Sequence, residues 1–313
     1  MAGIRTLYVH VTQRCNLHCA YCYCDCGPAS TGELDARLVP ALAEEVVRLR
    51  AERVVLTGGE PLLWPQLFES ARILREACDE IGAGLRLATN GMLVDESLAA
   101  EIASVFSDVR VSIDGLRDVN DSLRGPGTFE GACSAIRRFF GAGISPAVSV
   151  VASTPSLPGL PDFLRYLRRE VGVAEIHVSV LRPVGRAKAR PDLVCGWQDA
   201  NRATAEFWSA EFQPAHAIGA HPPLDCVGCG IGDHLNIATD GGVYPCHVLT
   251  GPHYRLGTLG VDSLSEAARH AADVGASLVR RFSEARQSRP GAEILDEALC
   301  AGEALQALHS TPS

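Results

Sequence analysis

Six short β-branched runs, separated by longer amphipathic segments, set the architecture open to this chain. The runs fall at residues 7–12, 53–57, 85–89, 109–113, 147–152 and 176–181, and the amphipathic segments at 36–50, 66–81, 97–105, 129–140 and 160–170. That rhythm predicts parallel βα units, a parallel sheet with helices outside it. Asp95 and Thr128 are placed to cap helix starts, and Gly82, Gly141 and Gly172 to end helices. The pattern fits an open doubly wound sheet and a curved partial barrel equally. A net charge of −9 without a basic run argues against a nucleic-acid surface. No apolar stretch has the length a bilayer span needs, so neither nucleic acid nor membrane is expected as a partner.

The chain holds 12 cysteines in 313 residues. A disulfide framework fits poorly, because the sequence starts Met-Ala-Gly-Ile-Arg without a charged-then-apolar leader and is far longer than stapled domains. A reducing cytoplasm is the expected compartment. Cys15-Asn16-Leu17-His18-Cys19-Ala20-Tyr21-Cys22 follows directly on the first strand. Three thiolates at this spacing can each take one iron of a cubane and leave the fourth iron without a protein ligand; a structural zinc is the bland alternative. Cys24 and Cys26 read as free loop thiols, with sulfur shuttling or cluster repair as the other option.

Ligands of parallel αβ folds gather beyond the carboxyl ends of the strands. After the second strand stands Thr57-Gly58-Gly59-Glu60-Pro61, whose glycines let backbone approach a ligand and whose carboxylate can accept from an ammonium group. After the third and fourth come Thr89-Asn90-Gly91 and Ser112-Ile113-Asp114-Gly115, where short polar side chains can meet a ribose or carboxylate. Asn-Gly and Asp-Gly also build plain turns.

The CxxxCxxC spacing, with Tyr21 before its last cysteine and Gly58-Gly59-Glu60 after the second strand, resembles the radical S-adenosylmethionine (radical SAM) superfamily. The resemblance implies a partial (β/α)6 barrel over residues 1–190, with a 4Fe-4S cluster on Cys15, Cys19 and Cys22. It further implies S-adenosylmethionine chelated at the open iron, its amino group at Gly58, Gly59 and Glu60, its adenine against Tyr21, and its ribose and carboxylate near Asn90, Ser112, Asp114 and Arg124. A one-electron reductase such as flavodoxin or ferredoxin would feed the cluster, and the 5'-deoxyadenosyl radical would take hydrogen from a substrate C-H bond.

The second half carries another signal. Cys226-Val227-Gly228-Cys229 precedes His234-Leu235-Asn236-Ile237, a turn at Asp240-Gly241-Gly242, and Val243-Tyr244-Pro245-Cys246-His247, which read as a β-hairpin. Cys229, Gly241 and Cys246 resemble the opening of the SPASM or shorter twitch extension, placed at residues 191–313. Only Cys300 follows Cys246, so the resemblance implies one auxiliary iron-sulfur cluster, of 4Fe-4S type, on Cys226, Cys229 and Cys246. Cys300, Cys195, substrate or solvent would complete it. Zinc on the same cysteines with His247 is the alternative, although adjacent Cys246 and His247 reach one tetrahedral ion poorly. Arg182, Pro183, Gly185 and Arg186 lie where such relatives close the barrel, and Arg182 is expected to face the cavity. Several relatives with truncated extensions act on sugars or aminocyclitols, and a barrel beginning almost at Met1 leaves no room for a leader-binding domain. The expectation is therefore a small-molecule natural-product intermediate, oxidised or epimerised. A peptide-modifying maturase forming crosslinks, thioethers or epimers is the alternative, and a non-catalytic iron-sulfur or zinc-binding module is the reading of another class.

Overall fold

The computed structural model describes residues 4–211 and 231–288. Six strands, β1 (Thr6–Thr12), β2 (Arg53–Gly58), β3 (Gly84–Thr89), β4 (Asp108–Ser112), β5 (Ala147–Ala152) and β6 (Ile176–Val180), pair in parallel and in chain order. The connections carry α1 (Val39–Leu49), α2 (Leu67–Ile81), α3 (Glu96–Val105), α4 (Arg117–Arg124), α5 (Thr128–Gly141) and α6 (Leu160–Arg169). This is the partial barrel, and its strands are divided by face. Leu7, Val9 and Val11 of β1, Val54 and Leu56 of β2, Val109 and Val111 of β4, and Val148 and Val150 of β5 belong to the apolar core. Their alternates Tyr8, His10, Arg110, Ser112, Ser149, His177 and Ser179 line an internal cavity. Strand alternation thus separates a dry layer from a lumen that mixes these polar side chains with Val55, Ala88 and Val151.

The hairpin does not stand apart from the barrel. Strand β7 (His234–Ile237) pairs in parallel with β1, β8 (Gly242–Tyr244) returns antiparallel to β7, and β9 (Gly257–Thr258) pairs antiparallel with β8. The sheet order is β6-β5-β4-β3-β2-β1-β7-β8-β9. Helix α7 (Trp197–Glu211) packs beside α6, and α8 (Leu264–Ser288) beside α1. Buried Glu45 of α1 accepts a hydrogen bond from Leu264 N at 3.0 Å, satisfying a donor at the start of α8 that the helix itself leaves unpaired. Among the described residues no helix is long and apolar enough to cross a membrane.

The expected caps hold in part. Asp95 accepts from Leu98 N at 2.7 Å, and Gly82 ends α2 in the left-handed region. Thr128, however, is the first residue of α5 rather than its cap: Asp121 takes Gly127 N and Phe129 N, each at 2.8 Å. Gly141 remains helical, and the left-handed turn falls at Gly143. Helix α4 has no counterpart in the sequence-derived segments. It is polar, and burial of Asn120 and Leu123 fixes it in place.

Candidate active site

Residues 13–34 form a loop across the carboxyl end of the sheet. Gln13 N donates to Gly32 O (2.6 Å), Cys15 N to Gly27 O (3.2 Å) and Leu34 N to Val11 O (2.9 Å), folding it on itself. Gly59 N donates to Thr12 O (2.7 Å), Glu60 N to Arg14 O (2.8 Å) and Ala20 N to Leu123 O (2.8 Å), tying it to β2 and α4. The paired glycines therefore serve a closer purpose than ligand approach. A Cβ on Gly58 would overlap Thr12 O, one on Gly59 would overlap Arg14 O, and Gly58 has a φ of 139°.

Beneath the loop lies a cavity of about 340 Å³. It brings together Cys15, Cys19 and Cys22 with Tyr21, Gly58, Gly59, Asn90, Ser112 and Arg124. The Asn90 amide donates to Asn16 Oδ1 at 2.8 Å and approaches Cys15 Sγ at 3.8 Å, joining β3 to the cysteine loop. Glu60 and Asp114 stand behind the lining, both fully buried and both engaged with protein. Glu60 accepts from Leu62 N (3.2 Å), Thr89 Oγ1 (2.9 Å) and Asn90 N (2.8 Å). Burial still pushes its carboxyl up to about 7. Asp114 accepts from Arg124 Nε (2.6 Å), Arg124 Nη2 (3.0 Å), Val151 N (2.9 Å) and the Tyr21 hydroxyl. The Arg124 guanidinium also lies 5.6 Å from the Tyr21 ring centroid. One carboxylate thus positions two lining side chains.

The donor set suits an iron-sulfur cluster. Burial pushes Cys15 up to about 11 and raises Cys19 as well, whereas hydrogen bonds from the Cys24 and Cys26 thiols lower Cys22; a bound metal would hold all three as thiolates. The positive charges of Arg124 and Arg186 oppose the rise at Cys19.

The lining residues His10 and Tyr23 had no role in the sequence reading, and His247 had one only as a zinc ligand. His10 Nε2 and the Tyr23 hydroxyl are 3.2 Å apart, and the His247 ring packs against Tyr23 with centroids 5.3 Å apart. Burial holds His10 down to about 4 and His247 down to about 3, so both rings are neutral near pH 7. The inward alternation of Tyr8 and His10 in β1 was the available signal. Arg182 is not among the lining residues, although its charge helps to depress His247. Arg186, expected only to lie where the barrel closes, donates from Nε to Cys19 O (2.8 Å) and from Nη2 to Cys26 O (2.7 Å).

Cys246 is buried after β8 and accepts from Val248 N at 3.2 Å; the cavity lining includes His247 but not Cys246. Cys226, Cys229 and Cys300 lie outside the described residues. Cys195 is packed in the apolar core, its thiol 3.6 Å from Ala152 O.

The model of the radical SAM superfamily matches residues 9–171, more than half of the chain, and the chain belongs to that superfamily. The 4Fe-4S cluster and S-adenosylmethionine are its cofactors. Among curated relatives, the mycofactocin maturase MftC of Mycobacterium ulcerans (strain Agy99) is 33% identical over 179 residues, covering 56% of this chain and 47% of the relative. A pre-heme d1 synthase of Dinoroseobacter shibae is 33% identical over 180 residues, covering 56% and 43%. The chain thus spans about half the length of the curated relatives it matches. Among solved structures, native anSMEcpe with bound AdoMet superposes with a TM-score of 0.68 at 20% identity, covering 84% of this chain and 80% of the other. Streptococcus suis SuiB bound to precursor peptide SuiA gives 0.68 at 16% identity, covering 84% and 64%.

Proposed function

We propose that this radical SAM enzyme modifies a peptide, with its cluster on Cys15, Cys19 and Cys22. The observation that carries the cofactor assignment is the convergence of those three thiols with Asn90, Ser112 and Arg124 on one cavity at the strand ends. When bound, the reduced cluster would supply the electron for cleavage of S-adenosylmethionine, which provides the oxidant for an unactivated C-H bond. The chain's own residues bind, orient and exclude water. Arg124 and Asn90 offer donors to the cosubstrate carboxylate and ribose, Tyr21 offers a ring face to adenine, and Gly58 and Gly59 present backbone to its amino group. Glu60 and Asp114 act one step back, holding Asn90 and the Tyr21–Arg124 pair in register. A flavodoxin or ferredoxin would supply the electron.

The expectation of a sugar-like small molecule is not supported. Among the relatives named above is a mycofactocin maturase, and a neighbour of the same fold binds a precursor peptide. The lumen agrees with a peptide, since Arg110, Ser149, His177, Ser179 and Asn236 present donors and acceptors from several strands. Cys226, Cys229 and Cys246 are proposed to hold one auxiliary 4Fe-4S cluster, which would accept an electron from the substrate radical or position the peptide. Anaerobic incubation of the reduced, reconstituted enzyme with candidate peptides, read by mass spectrometry, tests the substrate class. A peptide mass change dependent on S-adenosylmethionine supports it; turnover of a tetrapyrrole or a sugar with all peptides untouched would overturn it.

A further inference from the structure

Cys24 and Cys26 remain unassigned by the radical SAM triad, and the structure does not leave them as isolated loop thiols. The sulfurs of Cys22, Cys24 and Cys26 lie within 4.8 Å of one another. Cys22 and Cys24 are 3.5 Å apart, and Cys24 and Cys26 are 2.6 Å apart. Three sulfurs on one tetrahedral ion, each at about 2.3 Å, sit roughly 3.8 Å from one another, so small side-chain rotations convert this trio into three corners of a tetrahedron.

Two features of the backbone hold the trio together. Asp25, between Cys24 and Cys26, takes a φ of 52°, in the left-handed region that only a few non-glycine residues tolerate. That residue bends the chain so that thiols two positions apart meet. Arg186 clamps the outside of the same turn: its backbone N–H donates to Cys22 O (3.0 Å), Nη2 to Cys26 O (2.7 Å) and Nη1 to Asp25 Oδ1 (2.7 Å). The Cys22 carbonyl faces the Arg186 backbone and the Cys26 carbonyl its guanidinium, and Cys22, Cys24 and Cys26 all line the cavity. A cationic clamp beside them also offsets the charge of three thiolates on one divalent ion.

We infer that Cys22, Cys24 and Cys26 form a site for a single tetrahedral divalent cation of thiolate preference, ferrous iron or zinc, its fourth position open to the cavity. Each thiol that binds releases its proton to solvent, and no electron moves. The site shares Cys22 with the proposed cluster, so the two are mutually exclusive at that sulfur. This inference rests on the assignment of Cys22 to the cluster only for the exclusivity; the cation site itself needs neither sulfide nor S-adenosylmethionine.

The test uses full-length, metal-free, chemically reduced protein under anaerobic conditions, carrying Cys226→Ser, Cys229→Ser, Cys246→Ser and Cys300→Ser to silence the second half. Cobalt(II) is titrated and read by its ligand-field and thiolate charge-transfer absorption. One equivalent should bind with tetrahedral bands, should survive Cys15→Ala/Cys19→Ala, and should be displaced by zinc or ferrous iron. Cys24→Ser/Cys26→Ser should weaken binding at least tenfold, with circular dichroism confirming its fold. Loss of the cobalt bands in Cys15→Ala/Cys19→Ala, or undiminished binding in Cys24→Ser/Cys26→Ser, would overturn the site. Failure of the radical chemistry would leave all of these readings unchanged.

Discussion

Removing the Asp114 carboxylate should cost the cysteine loop its anchor at α4. The side chain is fully buried, and its partner Arg124 is only 10% exposed at the side chain, so Asp114→Ala leaves a guanidinium in the interior without its counter-ion. Breaking one side of a buried pair costs about 3–5 kcal/mol. Val151 N and the Tyr21 hydroxyl lose an acceptor in the same change. For a domain of this size the corresponding fall in Tm is about 6–20 °C. The assay is thermal unfolding of the metal-free protein by circular dichroism, with Asp162→Ala as control, because Asp162 is 75% exposed in its pair with Arg165. That control should shift Tm by no more than a degree or two, in keeping with a surface ion pair of about 0–1 kcal/mol. Asp114→Ala/Arg124→Met should fall less than the sum of its single changes, since the pair is coupled. A Tm for Asp114→Ala indistinguishable from the control, or strict additivity in the double variant, would refute the anchoring argument.

Glu60 supplies a pH prediction. Its carboxyl rises on folding from 4.5 to about 7, so its contribution to stability is full below pH 4.5 and is lost as pH climbs through 7, about 3 kcal/mol in all. Urea unfolding of metal-free protein should show this slope, and Glu60→Gln should flatten it; identical slopes would contradict the burial argument. Gly59→Ala should disorder the loop through overlap with Arg14 O and lower the iron retained after reconstitution, measured by iron assay, whereas Gly82→Ala, with no neighbour within 4 Å but a φ of 72°, should leave iron content intact at a modest stability cost. Cys226→Ala/Cys229→Ala/Cys246→Ala should bring iron from about eight to about four per chain and retain uncoupled cosubstrate cleavage while losing peptide turnover. Stoichiometric zinc in the parent protein would sink the auxiliary cluster.

The barrel was legible because each strand is a β-branched run bounded by turn residues. The expected 147–152 coincides with β5 at both ends, and the other five strands shift by no more than a residue or so. Residues 36–50 split into a 3-10 turn at Ala36–Leu38 and α1, where Asp35 accepts from Arg37 N and Pro40 enters the first helical turn. Helix α4 escaped because Arg117-Asp118-Val119-Asn120-Asp121-Ser122-Leu123-Arg124 is short and carries only two apolar residues, Val119 and Leu123, and its place comes from the Asp114–Arg124 pair and from Asp121 at the start of α5. The cysteine triad was plain from its spacing. The supports behind it were not, because spacing along a chain says nothing about which carboxylate turns inward. Glu60 and Asp114, read in sequence as cosubstrate contacts, are fully buried and hydrogen-bonded to protein, which spacing alone does not reveal. The contact of Arg186 with Cys26, 160 positions away, could be found only once β6 had closed the barrel. The parallel pairing of β7 with β1 was hidden for the same reason: a hairpin is local in sequence, and the strand that receives it is not.

Reductive cleavage of S-adenosylmethionine at Cys15, Cys19 and Cys22 is read by quantifying 5'-deoxyadenosine after anaerobic reconstitution and dithionite reduction, without any peptide. It should form with the parent protein and with Cys24→Ala and Cys26→Ala, with none above background from Cys15→Ala, Cys19→Ala or Cys22→Ala. A parent protein loaded with iron and sulfide that leaves the cosubstrate intact, or undiminished cleavage by Cys22→Ala, would contradict it.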